Sequence, residues 1–272
     1  MTELSPSDRI LRWSLQHRLQ HLALMVSVGV LILTGFPIKY SHTGWGRAMA
    51  GWFGGFDSLL NVHLGAAALM VLAGVYHIVY VLYYWWRHGP TWDMMPGRKD
   101  IADAVHHALW LVGLRQDRPR YGRYSYLEKF EYFAVFWGFV VMGGSGLVIL
   151  FPGVATHYMP RWAVDALRVV HSNEAFVALL SLAFGHFFAV HFAPGVFPGS
   201  MVWLDGTTTV AHMAEEHPLE LEAMGIAAPP EHHAVTARER LILIMEMVGY
   251  TLVTFILLDT FIPMFISAVA KP

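Results

Sequence analysis

The chain has 272 residues, 56% of them hydrophobic and only 14% charged, with no cysteine and a formal net charge of -2. Soluble domains are about a quarter charged, so this composition belongs in a bilayer. The missing cysteine excludes disulfides, thiolate ligation, iron-sulfur clusters and covalent c-type haem within the chain, and the near-neutral charge leaves no nucleic-acid footprint.

In chain order, uncharged runs long enough to cross about 30 Å of hydrocarbon occur at Leu19–Ile38, Ser58–Trp86, Tyr132–Pro160 and Val169–Leu204, the last broken only by Glu174. A fifth run, Leu241–Ile262, contains Glu246 and Asp259. The first run is too long for a signal peptide and no small-residue cleavage site follows it, so it is expected to remain as a span. Arg9, Arg12 and Arg18 precede it, and seven basic residues from Arg87 to Arg123 fill the second loop, against only Lys39 and Arg47 in the first. The positive-inside rule then predicts a cytoplasmic N-terminus and second loop, and a periplasmic C-terminus. Trp45, Trp52, Trp85 and Trp86 suit interfacial anchors.

The connection after the fourth run has no Lys or Arg between 193 and 237. It holds Asp205, Glu215, Glu216, Glu220, Glu222 and Glu231, with five prolines. An ordered cap or docking surface is expected there. No internal repeat is evident.

Sixteen histidines are present. Those in loops (His42, His88, His106, His107, His157, His212, His217, His232 and His233) are expected to be solvated. His17, His21, His63, His77, His171, His186 and His191 fall at or within spans, where an ionisable group is costly and therefore suspect. His171 and His186 are 15 residues apart, about 22 Å along an α-helix and about 60° around it. His63 and His77 are 14 apart, about 21 Å and about 40°. The second and fourth spans run in the same direction, so His63 matches His171 in depth near the outer side and His77 matches His186 further in. One such residue is adequately explained by a bond to a backbone carbonyl; four at matched depths suit two stacked haems, each iron taking two imidazoles. Bis-histidine ligation leaves no open position, so such haems carry electrons. His21 competes with His77 as partner of His186. His191 points about 140° away from His186 and suits a quinone pocket, a third haem with His21, or the interface.

The segments RLQHLALMVSVGVLILTGFPIKY, HLGAAALMVLAGVYH, RYSYLEKFEYFAVFWG and HSNEAFVALLSLAFGHFFAVHFAPGVFP together resemble the bacterial di-haem cytochrome b family of cytochrome b561 type. That family includes the gamma subunit of membrane formate dehydrogenase and the b-type cytochromes of nickel-iron hydrogenase and thiosulfate reductase. The resemblance implies a bacterial inner-membrane subunit that moves electrons between menaquinone or ubiquinone and a partner iron-sulfur or multihaem cytochrome c subunit. It implies that His63 and His171 hold an outer haem b, and His21 and His186 an inner one. The formate dehydrogenase pattern lacks His77, so spacing favours His77 and the resemblance His21. The resemblance also puts the quinone site near the inner haem, where His17, Arg18, His191 and the loop from Tyr121 to Glu131 are candidates.

The fold expected is all-α: an integral membrane bundle with a four-helix haem-binding core over 1–192, an acidic connection over 193–239 and a fifth transmembrane helix within 240–272. Gly143, Gly144 and Gly146 would admit a close helix or macrocycle. Glu174, one turn after His171, suits a supporting role beside a ligand or a hydrated place at the interface. A haem-free proton-coupled transporter or membrane anchor using the same histidines is the competing class. It predicts no haem absorbance, and a transporter would prefer broken helices and midplane acids.

Overall fold

A computed structural model describes residues 4–193, 196–197, 199–227, 236–245, 247–249 and 251–252. Among them, four helices are long and apolar enough to cross a membrane. These are α1 (Leu15–Lys39), α3 (Phe56–His88), α5 (Tyr126–Leu150) and a fourth, Arg161–His191, made of α7 (Arg161–Leu180), a π-helical segment (Ser181–His186) and α8 (Phe187–His191). Leu33, Leu72, Val79, Phe136 and Leu147 on these helices are exposed, the disposition a lipid-facing surface requires. Short helices α2 (Gly44–Trp52), α4 (Arg98–Leu111) and α6 (Pro152–Tyr158) lie in the connections. The chain is an all-α membrane protein.

Helix ends depart from the hydropathy runs for local reasons. The third run extends to Pro160, but α5 stops at Leu150 because Phe151 precedes Pro152 and takes a non-helical conformation, φ -120° and ψ 58°. Pro152 then opens α6, whose apolar composition had prolonged the run. The fourth helix begins at Arg161, before its uncharged stretch, and ends at His191 rather than Leu204. Of the fifth run, residues 241–245, 247–249 and 251–252 are helical and the rest, with Glu246 and Asp259, lies outside the described residues.

The chain divides into two compact units. One comprises Met1–Leu19, Leu82–Ala134 and His186–Val248. In it, β1 (Arg9–Leu11) pairs antiparallel with β2 (Thr207–Thr209). Beside that ribbon, α9 (Val210–Glu216) and α10 (Pro218–Ala223) bury Val210, Met213, Leu221 and Ile226 in a small core. Neither strand was legible in the sequence, since each is only three residues long.

The acids of the connection face the arginines of the N-terminus and second loop. Arg9 pairs with Asp205 at 2.6 Å, Arg118 with Glu215 at 3.1 Å, and Arg120 with Glu222. Arg12 and Arg123 both pair with Glu220. These contacts bring the three segments together. They also bury two loop histidines expected to be solvated. His217 is 9% exposed and its Nδ1–H donates to the Gly122 carbonyl at 2.8 Å, while the His107 ring meets the Tyr126 hydroxyl at 2.8 Å. Burial, then Arg118, hold His107 down at about 4.

The other unit comprises Gln20–Val81, Val135–Gly185 and Gly249–Pro272. Its helices approach closely at Gly74, where a β-carbon would lie 2.6 Å from the Phe139 ring. Lys39 donates to the Ser172 carbonyl at 3.5 Å, and Phe36 meets Phe176 edge-on at 6.4 Å.

Candidate functional site

Within that second unit, α1 supplies Thr34, a fully buried hydroxyl in an apolar helix. Its proton goes to the Val30 carbonyl one turn back, at 2.7 Å. Its oxygen is thereby oriented to accept the Nδ1–H of His63 at 2.8 Å. Ser145 on α5 repeats the arrangement: it donates to the Val141 carbonyl at 2.6 Å and accepts from His171 Nδ1 at 3.0 Å. Each hydroxyl is followed by a glycine, and a β-carbon on Gly35 or Gly146 would lie 3.3 Å from Cε1 of His63 or His171. Thr34-Gly35 and Ser145-Gly146 are therefore equivalent supports on two different helices, a correspondence too short to read as a repeat.

The chemical consequence is a chosen tautomer. With Nδ1 carrying the proton, Nε2 presents its lone pair, the form in which neutral imidazole binds a metal. Two imidazoles with locked tautomers, backed by glycines that let them sit deep, fit the axial ligands of a flat macrocyclic metal. No group of three or more His, Asp or Glu suited to a bare ion occurs among the described residues; a bis-histidine haem needs only two protein ligands.

His77 and His186 show the same Nδ1 engagement. His77 donates to Gln20 Oε1 at 2.7 Å. His186 donates to Glu131 Oε2 at 3.0 Å. His186 closes the π-helical segment, so the regular 100° step that aligned it with His171 is interrupted between them. Thr34, Ser145 and Gln20 were not identified from the sequence, and Glu131 only as the end of the loop offered for the quinone site, not as a partner of His186. The Thr-Gly and Ser-Gly dipeptides inside apolar runs were the available signal.

The remaining candidates are placed as follows. His17 Nδ1 meets Ser14 Oγ at 2.9 Å, and Arg18 donates to the Leu204 carbonyl at 2.6 Å. His191 packs against Phe187, ring centroids 4.6 Å apart, and against Gly199. His21 lies in the second turn of α1. Of the three glycines, Gly146 backs a histidine, while a β-carbon added at Gly143 or Gly144 would meet nothing within 4 Å among the described residues. Glu174 is 5% exposed and its Oε2 has no hydrogen-bond partner among the described residues.

Residues 12–197 match the family model described as prokaryotic cytochrome b561. No curated protein matches the chain.

Proposed function

Because the chain belongs to the prokaryotic cytochrome b561 family, and is thus a membrane b-type cytochrome of electron transfer, we propose that it carries electrons across the bacterial inner membrane through two b haems. The observation that carries this reading is the pair of supported imidazoles: His63 on Thr34 and His171 on Ser145, with Nε2 of each presented for iron. They hold the outer haem. The inner haem takes His186, whose Nδ1 is bound by Glu131, with His77, held by Gln20, as the partner put to the test and His21 as the alternative. Bound haem supplies one-electron transfer; the protein locks the ligand tautomers and keeps water out of the span.

Electrons pass between menaquinone or ubiquinone and an iron-sulfur or multihaem cytochrome c subunit, with substrate chemistry on that other chain. His17, Arg18 and His191 are the candidates for the quinone end. Positive charge on the second loop orients that end to the cytoplasm. The test is haem content of the purified chain by pyridine haemochrome, for wild type and for His63→Ala, His77→Ala and His21→Ala. Two b haems are expected, with one lost in His63→Ala and in His77→Ala but not in His21→Ala. A third haem would assign His21 and His191 to another site. A folded chain without haem would return the transporter or anchor.

A further inference from the structure

The Nδ1 acceptors of the four intramembrane histidines are not alike. His63 and His171 donate to hydroxyls and His77 to a carboxamide, all neutral. His186 donates to the Glu131 carboxylate at 3.0 Å. Glu131 sits in the second turn of α5 and His186 at the end of the π-helical segment, both partly buried, with side chains 27% and 37% exposed.

A carboxylate on the far nitrogen fixes the ring plane and makes the imidazole a stronger donor to its metal. It would also put a negative charge on the opposite side of the ring from a bound iron. That charge would stabilise the ferric state over the ferrous state, with the screening expected of side chains that are only partly buried. Hydroxyl and amide acceptors orient their rings without this charge.

Resting on the ligand assignment above, we propose that Glu131 is a positioning residue that clamps His186 and makes the haem held there the lower-potential member of the pair. The redox change is one electron added to ferric iron to give ferrous iron, with no bond made or broken at the imidazole. Under a rising dose of reductant, the His63/His171 end is reduced first.

The experiment is an optical redox titration of the full chain in detergent, with dithionite as reductant, on wild type, Glu131→Gln, Glu131→Asp and His186→Ala. Haem is counted in each. Wild type should show two one-electron waves, and His186→Ala should lack the lower one. Glu131→Gln should keep both haems and move the lower wave upward, leaving the other in place, with Glu131→Asp lying between it and wild type. If Glu131→Gln loses haem, Glu131→Asp carries the test, and its lower wave must still move upward. Unmoved waves with two haems bound, or movement of the wave that His186→Ala retains, overturn the Glu131 proposal alone. A wild-type chain without haem, or a His186→Ala variant that keeps both, overturns the ligand assignment itself.

Discussion

Arg12 and Glu220 stand 208 residues apart in sequence and form an ion pair with side chains only 6% and 10% exposed. Arg123 reaches the same carboxylate from the second loop, and Arg12 and Arg123 each donate to the other's backbone carbonyl. Burial, then the neighbouring Arg123, lower the Arg12 pKa, against the opposing pull of Glu128 and Glu220. Glu220 is therefore the point at which three distant segments are tied together.

Replacing Glu220 by Gln leaves two guanidinium groups facing each other without their shared counter-charge. Losing one partner of a buried ion pair costs about 3–5 kcal/mol. Thermal unfolding in detergent should show that loss, with faster tryptic cleavage in the second loop. Glu215→Gln, at an exposed pair, should change stability by about 0–1 kcal/mol.

Thr34→Val keeps the shape of the side chain and removes the acceptor for His63 Nδ1. Loss of such an outer partner weakens metal affinity about 10- to 100-fold. Haem titration of the apoprotein should show one of two sites weakened by that amount. Ser145→Ala should weaken the same site, because the proposed outer haem takes His171 as its second ligand.

A side chain at Gly146 would be driven into His171, whereas a β-carbon at Gly144 would meet nothing within 4 Å among the described residues. Gly146→Leu is expected to lose one haem by absorbance, and Gly144→Leu to keep both.

His107 has its pKa depressed from 6.5 to about 4 by burial and then by Arg118. The unfolded chain binds the proton more readily, so stability falls as pH drops through the window from 6.5 to about 4 and is unaffected by this group above it. The melting temperature of wild type should decline over that range, and His107→Gln should decline less. Equal slopes would remove His107 as a contributor.

The membrane class, the four crossing helices and the histidine positions were all legible in the primary structure. Apolar run length is set against a fixed bilayer thickness, and an imidazole in such a run stands out by its cost. Boundaries were less legible, because Phe151 leaves the helix through a local clash with Pro152 that hydropathy does not register.

What required the tertiary structure was the chemistry around each imidazole. Thr34 and Ser145 read as ordinary small polar residues in α1 and α5, and only packing brings them to His63 and His171 and so selects a tautomer. Glu131 and His186 are 55 residues apart, and nothing local to either shows that the carboxylate meets the imidazole. The same holds for the acidic connection, which composition marks as acidic but whose partners lie about a hundred or two hundred residues upstream. Periodicity and hydropathy are properties of consecutive residues; hydrogen-bond and ion-pair partners are set by three-dimensional approach.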